Sequence, residues 1–549
     1  MGTTIFYNAR FLTCDPAGRA VEALAVDDGR IVFAGSARQA LETAPDAAKH
    51  DLGGRMAMPG LIDIHNHHIL AGRMALYEMA FPPTLTFEEI LDQVRHAADT
   101  TPEGRWLVGG SYNGSLTPRM DSLQALAELD AASRGRPVLL RDLSYHTRWC
   151  NSAAMAEAGV DRATPDLDPN VGRIARDPAT GDPTGLFFES AGRTVDHAME
   201  GTNYADPEID SKASAYAVQV LNSYGVTAFQ DALTSLGMMQ ALASLDRAGT
   251  LTAWVVASLP AHEGIFVPGP VGTELFAMKE KFRSRHVRPD FAKILLDGIP
   301  MAMTAAMLEP YRPNETFGCC YRGGTTMTLP QLARLLADCE KFGLGVKIHC
   351  AGDGALRIAV DAVDVVRNFN GSTHLRHQIA HPMFTNPLEI PRMAAFNITA
   401  DLSPITWYPG VLEQVVRMTV FDKYVDRIWP IRDFVEAGVL IAGGSDWPVV
   451  PNPDPWDGIC GLVTRQNPQG GFEGALWGEQ AIDTRSALEA YTIGSARALG
   501  LEAEIGSLEV GKSADFIVLD QDVLECPAKS LGKTKVLQTW FEGRQVYER

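Results

Sequence analysis

The sequence predicts an α/β protein with a parallel core and a small β-rich unit contributed by both ends of the chain. Three observations carry this. Short apolar runs at 291–296, 345–350 and 438–442 alternate with amphipathic stretches at 329–342 and 355–369, the βαβ order of parallel sheets. Residues 1–56 and 499–549 share another style, short alternating segments punctuated by turn residues. The 549 residues are 46% apolar and 21% charged, a globular composition that excludes disorder, collagen and coiled coil.

At the N-terminus, TIFYNARFLT and AVEALAVDDGRIVFAGS are β-like, and Asp28-Gly29 is a hairpin signal with a defined turn chemistry. IGSLEVGKSADFIVLD and VLQTWFEGRQVYER repeat this style at the other end. Residues 1–56 and 499–549 are therefore expected to pair outside a core spanning 57–498. The stretch from about 73 to 210, rich in Pro and Asp, is expected to be a loop-rich insertion. The charge-free run 213–230 contains Gln219, Asn222 and Ser223 and predicts a helix entering a strand, not a membrane span.

Charge excludes further classes. Lys and Arg number 48 against 67 Asp and Glu, giving −19, and no basic cluster offsets it, so nucleic acid is not an expected partner. Eight Cys occur without a CxxC pair, and only Cys319 and Cys320 are close neighbours. That is thiol usage in a reducing compartment. With no signal-peptide pattern at the N-terminus, the expectation is a cytoplasmic enzyme.

Five places carry candidate chemistry. In MPGLIDIHNHH, His65 and His67 end an apolar strand at i and i+2, so both imidazoles share a face; His68 points the other way. Alone, such a pair is a weak signal, more often chance than a metal site. Lys293 lies inside the apolar FAKILLDG, where burial disfavours the ammonium. It is either a salt-bridged lysine or a neutral amine that captures CO2 to give a carbamate able to bridge two metals. His349 ends GVKIHC, His381 ends LRHQIAH, and Asp446 follows GVLIAGGS. Each candidate closes a predicted strand, and in a barrel those ends share one rim where catalytic residues gather. Core packing alone does not place five such residues at five strand ends. Gly352-Asp353-Gly354 lacks the Lys and Gly spacing of a phosphate loop.

HxH after PGxID, Lys before Asp-Gly, two strand-end His and GSD together resemble the amidohydrolase superfamily. KILLDGIPMAMTAAMLEPY, IHCAGDGA, GSDWPV and the inserted GGSYNGSLTPRMDSL and LLRDLSYHTRWCNSAAM are similar to its YtcJ-like amidohydrolase 3 branch, which includes N-substituted formamide deformylases. The resemblance covers nearly the whole chain. It implies a (β/α)8 TIM-like barrel, a small β-sandwich from both termini, a segment inserted after the first barrel strand, and hydrolysis of an amide-like bond. It also implies one or two divalent ions. His65, His67 and Asp446 would hold the first, carbamylated Lys293 would bridge, and His349 and His381 would hold the second. Zn2+ suits imidazole and carboxylate ligands, and Mn2+ or Fe2+ tolerate the same set. Asp446 would be the general acid/base. His146 occupies the place of a substrate-contacting His and reads equally as a hydrogen-bonded loop residue. Tyr112, Glu189, Trp407 and Trp447 are candidate pocket residues or plain packing. His50, His96 and His286 read as surface residues. The expected partner is a small uncharged amide, and a homodimer or homotetramer is implied. Ester, carbamate or lactone hydrolysis, or a lyase or decarboxylase, would use the same site.

Overall fold

Eight short parallel strands form the centre: β1 (Leu61–Asn66), β2 (Val226–Asp231), β3 (Trp254–Pro260), β4 (Val287–Leu295), β5 (Gly345–His349), β6 (Gln378–Ala380), β7 (Thr399–Leu402) and β8 (Ile441–Gly443). They pair in sequence order as one parallel sheet. A parallel bridge between Asn66 and Trp447 and a 2.7 Å hydrogen bond from Asp446 N to the His65 carbonyl join first strand to last, so the sheet closes as a barrel. This computed structural model describes residues 2–549 except 83, 166, 168–171, 201–206, 263–268, 372–373, 404–405 and the Glu200 side chain.

Every residue of β1, β2, β3 and β5 is buried, as expected where helices cover one face of a parallel sheet and barrel side chains the other. The helices at Leu329–Lys341 and Asp353–Asn370 and the helix Pro207–Ser223 entering β2 match expectation within two residues or extend earlier. β8 starts later than the apolar run at 438–442. Gly438 sits at φ +79° and its N–H returns to the Val435 carbonyl, so it closes the preceding helix as a left-handed turn.

The two chain ends share one continuous seven-stranded sheet, in the order 544–548, 536–541, 516–519, 48–59, 4–12, 20–27, 30–35. Asp28 and Gly29, at φ +46° and +75°, turn the expected hairpin. The strand Phe516–Leu519 links this sheet to the barrel by alternation. Phe516 and Val518 face Phe6 and Trp540, whereas Ile517 and Leu519 join the barrel core. The Phe516 and Trp540 rings stack at 5.6 Å and 8°, with Phe6 edge-on to both.

The stretch expected to be loop-rich holds a second sheet of six strands between Met79 and Glu189. It has its own core, in which Phe87, Leu91 and Leu129 pack against Leu140 and Trp149. Its signal is hidden by Gly109 and Gly110 in the strand Leu107–Tyr112. A Cβ at those positions would come within 2.6 Å of Met79 and 2.8 Å of the Arg141 carbonyl, so close strand packing replaces the alternating side chains that reveal a strand.

One histidine departs from expectation. His286, read as a surface residue, is 7% exposed just before β4, with Nδ1 at 2.7 Å from Asp246 and Nε2 at 3.2 Å from Glu542. His68 is fully buried, with Nδ1 at 2.6 Å from Asp231 and Nε2 at 3.0 Å from Ser214, tying helix Pro207–Ser223 to the barrel. His50 and His96 are exposed. Among the described residues, no helix is long and apolar enough to cross a membrane.

Candidate metal centre

The barrel geometry brings the six candidate ligands to one place. His65 lies near the end of β1 and His67 just after it, Lys293 near the end of β4, and His349 ends β5. His381 follows β6, and Asp446 follows β8 by three residues. All six line one cavity of about 220 Å³.

The Asp446 carboxylate is the hub. Oδ1 is 3.6 Å from Nε2 of both His65 and His67, and Oδ2 is 3.8 Å from Nε2 of His381. Donor atoms of His65, His381 and Asp446 all lie within 4.8 Å of one another, so the tightest cluster takes one residue from each of the two expected ligand groups and Asp446. His349 stands farther out, its ring 4.9 Å from that of His381 and its Nε2 donating to the Gly298 carbonyl at 3.1 Å.

Local chemistry fixes this hub. Asp63 accepts from His65 N, Ser445 N and Ser445 Oγ at 3.0, 3.0 and 2.6 Å, fastening the turn after β8 to β1. A Cβ on Gly444 would lie 2.7 Å from the His65 Cβ, so the close approach demands glycine. Asp446 and His381 both adopt φ near +60°, a left-handed conformation uncommon outside glycine and often found at functional sites.

His65 Nδ1 donates to Asp401 at 2.7 Å, which leaves Nε2 as a lone-pair donor; Nε2 is buried without a hydrogen-bond partner. A buried imidazole nitrogen oriented this way, facing a carboxylate and two more imidazoles, fits a divalent cation. Lys347, fully buried, also pairs with Asp401 and donates to the Ile64 carbonyl at 2.9 Å. Asp401 and Lys347 went unrecognised in the sequence, as did Asp297. Asp297 accepts the N–H groups of Ala306, Ala351 and Gly352 at 2.9–3.0 Å and lies 3.8 Å from His349 Nε2. Lys347 and Asp297 sit in the motifs GVKIHC and KILLDG and could have been noticed as charges in apolar strands. Asp401, in TADLS, carries no local signal.

Burial dominates the electrostatics. It holds His65, His349 and His381 well below the ordinary imidazole range and His67 at about 4, with Lys293 and other neighbouring cations adding to the effect. Burial and the neighbouring Lys347 lower Lys293 to about 8. Burial raises Asp446 to about 7, opposed by Lys293. The imidazoles are neutral at pH 7, the state that binds metal.

His146 also lines the cavity. Its Nδ1 is 2.7 Å from Glu189, whose other oxygen accepts from Thr304 Oγ1 at 2.6 Å. Burial works against its imidazolium, but the Glu189 carboxylate outweighs this and raises His146 above the ordinary range. Glu189, Tyr112 and Trp407 are not among the lining residues. Glu189 stands behind His146, Tyr112 is in the core of the inserted sheet, and Trp407 packs behind the lining Trp429 at 5.9 Å.

A parallel barrel with imidazole, lysine and carboxylate side chains gathered at the C-terminal strand ends defines a metal-dependent hydrolase. The chain belongs to the amidohydrolase family, whose pattern matches residues 50–547, and it is a hydrolase acting on non-peptide C–N bonds. It is 28% identical to an N-substituted formamide deformylase of Arthrobacter pascens, over 100% of this chain and 99% of that one. It is 27% identical to the putative amidohydrolase YtcJ of Bacillus subtilis, over 99% of each. An uncharacterized metal-dependent hydrolase of Pyrococcus horikoshii shares the fold at a TM-score of 0.75 and 22% identity, over 96% of this chain and 99% of that one.

Proposed function

We propose that this enzyme hydrolyses the C–N bond of a small uncharged N-formyl or N-acyl amine, with Asp446 moving the proton. The observation that carries the reading is the Asp446 carboxylate, 3.6 to 3.8 Å from the Nε2 atoms of three buried imidazoles. His65, His67, His381 and Asp446 would hold a divalent ion, zinc by ligand type. His349 and carbamylated Lys293 would complete a second position. When bound, such an ion polarises the scissile carbonyl and acidifies a water molecule.

The chain's own residues do the rest. Asp446 takes a proton at one carboxylate oxygen and returns it to the departing amine nitrogen. Lys293, lowered to about 8 by burial and Lys347, exists in part as the free amine that CO2 requires. His146, held through Nδ1 by Glu189, faces the substrate from the inserted sheet.

The cavity walls support this substrate class. Three lining arginines are engaged by carboxylates: Arg141 with Glu78 at 2.6 Å, Arg73 with Asp210 at 2.6 Å and Arg148 with Asp196 at 3.1 Å. That wall is polar yet balanced in charge, which suits an uncharged substrate. Leu70, Met238, Leu295, Met301, Met383 and Leu412 also line the cavity and suit an apolar substituent on nitrogen. The formamide deformylase relative supports the same class.

The test is amine release from a panel of N-formyl and N-acyl amines, with matched esters, by zinc-loaded protein. Cleavage of uncharged amides, abolished by a chelator and restored by zinc, is expected. Cleavage of the esters alone would overturn the C–N reading.

A further inference from the structure

Outside the metal centre, the loop after β4 carries a second reactive feature. Cys319 and Cys320 are both exposed, and their Sγ atoms lie 3.4 Å apart on the same side of the chain. Adjacent residues in extended backbone send side chains to opposite faces, so this juxtaposition needs the turn that the loop provides. Asn314 and Gly318 form an antiparallel bridge across a tight turn. The Phe317 and Tyr321 rings then stack at 4.2 Å and 12° across the pair. The turn is anchored at both sides, Tyr311 N donating to the Tyr321 carbonyl at 2.9 Å and Met307 N to that of Arg322 at 2.8 Å. A Cβ on Gly323 would lie 2.1 Å from the Ala305 carbonyl, so the loop is seated on the segment that follows the cavity-lining Ile299, Pro300 and Met301. Of the other six cysteines, five are buried and Cys526 is half-buried; the pair is therefore the accessible thiol chemistry of this protein.

We propose that Cys319 and Cys320 form a dithiol modification site that is oxidised reversibly to a disulfide between adjacent residues by a low-molecular-weight disulfide, and that chelates trivalent arsenicals. One thiolate attacks a sulfur of the small disulfide, forming a mixed disulfide and releasing one small thiol. The second cysteine then attacks the protein sulfur of that mixed disulfide, forming the Cys319–Cys320 bond and releasing the second small thiol. The two protons of the cysteines end on the two released thiols, and the two electrons pass from the pair to the oxidant. A disulfide between neighbours must span consecutive Cα atoms about 3.8 Å apart, below the usual disulfide range of about 4.4–6.8 Å. Such strain makes the bond easy to reduce, the property of labile rather than structural disulfides.

The experiment uses the full-length reduced protein treated with glutathione disulfide and followed by intact mass and peptide mapping. The expected product has lost two hydrogens in the peptide carrying residues 319 and 320, bears no glutathione, and reverts with a reductant. Cys319→Ser and Cys320→Ser should each instead retain a stable glutathione adduct. Phenylarsine oxide should bind the wild type once per chain, two As–S bonds replacing its arsenic–oxygen bond while the two thiol protons leave with that oxygen as water; it should be displaced by a dithiol but not by a monothiol, and either variant should abolish this. A persistent glutathione adduct on the wild type, a disulfide that includes Cys526, or no reaction at the pair would each overturn the proposal. None of these readouts depends on the amidase reading.

Discussion

Strand β4 carries a buried titratable group at each end, and the two ends behave in opposite ways. His286, just before the strand, meets Asp246 and Glu542 at 2.7 and 3.2 Å, and despite its burial the Asp246 hydrogen bond and the nearby carboxylates raise it to about 9. Lys293, near the far end, meets Lys347 and neutral imidazoles, and its burial lowers it to about 8. Burial disfavours charge at both ends, so the partners decide the outcome. At the joint with the terminal sheet, opposite charges are brought together and the result is cohesion. At the rim, buried imidazole lone pairs and the Asp446 carboxylate crowd one cavity, an arrangement that costs stability and that a cation would relieve.

The strongest break in this contrast is Asp446→Asn. The amide keeps one oxygen for a metal but cannot accept the proton. Turnover should fall about 10²–10⁴-fold, the size of general acid/base catalysis, with metal content per chain nearly unchanged. Retention of more than about a tenth of wild-type kcat would remove Asp446 from proton transfer. Lys293→Ala should lose metal and activity together, and acetate or propionate should restore part of both. Rescue fails if the lysine acts as a plain amine. Asp401→Asn acts one step farther out. It weakens the acceptor that orients His65 and leaves Lys347 without its carboxylate, so metal affinity should fall about 10–100-fold, as for other partners of metal-binding histidines. Equal affinity by competition with a chelator would show that His65 orients without it.

These residues differ in how well the sequence reveals them. His65, His67, Lys293, His349, His381 and Asp446 stand at or near the ends of apolar runs, so each is visible within about ten residues of chain. Asp401 acts on His65 across 336 positions and sits in a stretch with no motif of its own. His286 is flanked by Arg285 and Arg288, a polar setting typical of exposed residues; its carboxylate partners come from a helix and a turn that only the fold brings near. The inserted sheet is hidden in the sequence for another reason. Its strand Leu107–Tyr112 is packed so closely that glycines stand where alternating side chains would have been.

At the joint, His286→Gln should cost about 2 kcal/mol near pH 6, less than a fully buried pair because Glu542 is partly accessible. The sign follows from the raised pKa. The unfolded imidazole titrates near 6.5 and the folded one at about 9, so the stabilisation is complete below pH 6.5 and is lost as pH rises through 9. Thermal melts of wild type and variant should therefore differ most at pH 6 and converge by pH 10, with amidase activity at 25 °C little changed. A difference that stays constant with pH would mean that packing of the ring, not its charge, is what the joint uses.

The smallest effect sharpens the same joint from its other side. Gly29 turns the first hairpin at φ +75°, and a Cβ there would lie 2.9 Å from the Cβ of Glu542. Gly29→Ala should cost about 1–2 kcal/mol for the left-handed backbone alone, and the new methyl would press on the residue that faces His286 Nε2. Gly29→Asn separates the two contributions, because asparagine tolerates the left-handed region but carries the same Cβ. If pressure on Glu542 matters, both variants should flatten the melting-temperature loss between pH 6.5 and 9, since an ion pair already loosened has less to lose. If only the backbone matters, Asn should melt close to wild type and keep the full pH slope. Either result leaves the metal centre untouched, because the cavity at the other end of β4 draws none of its lining from this turn.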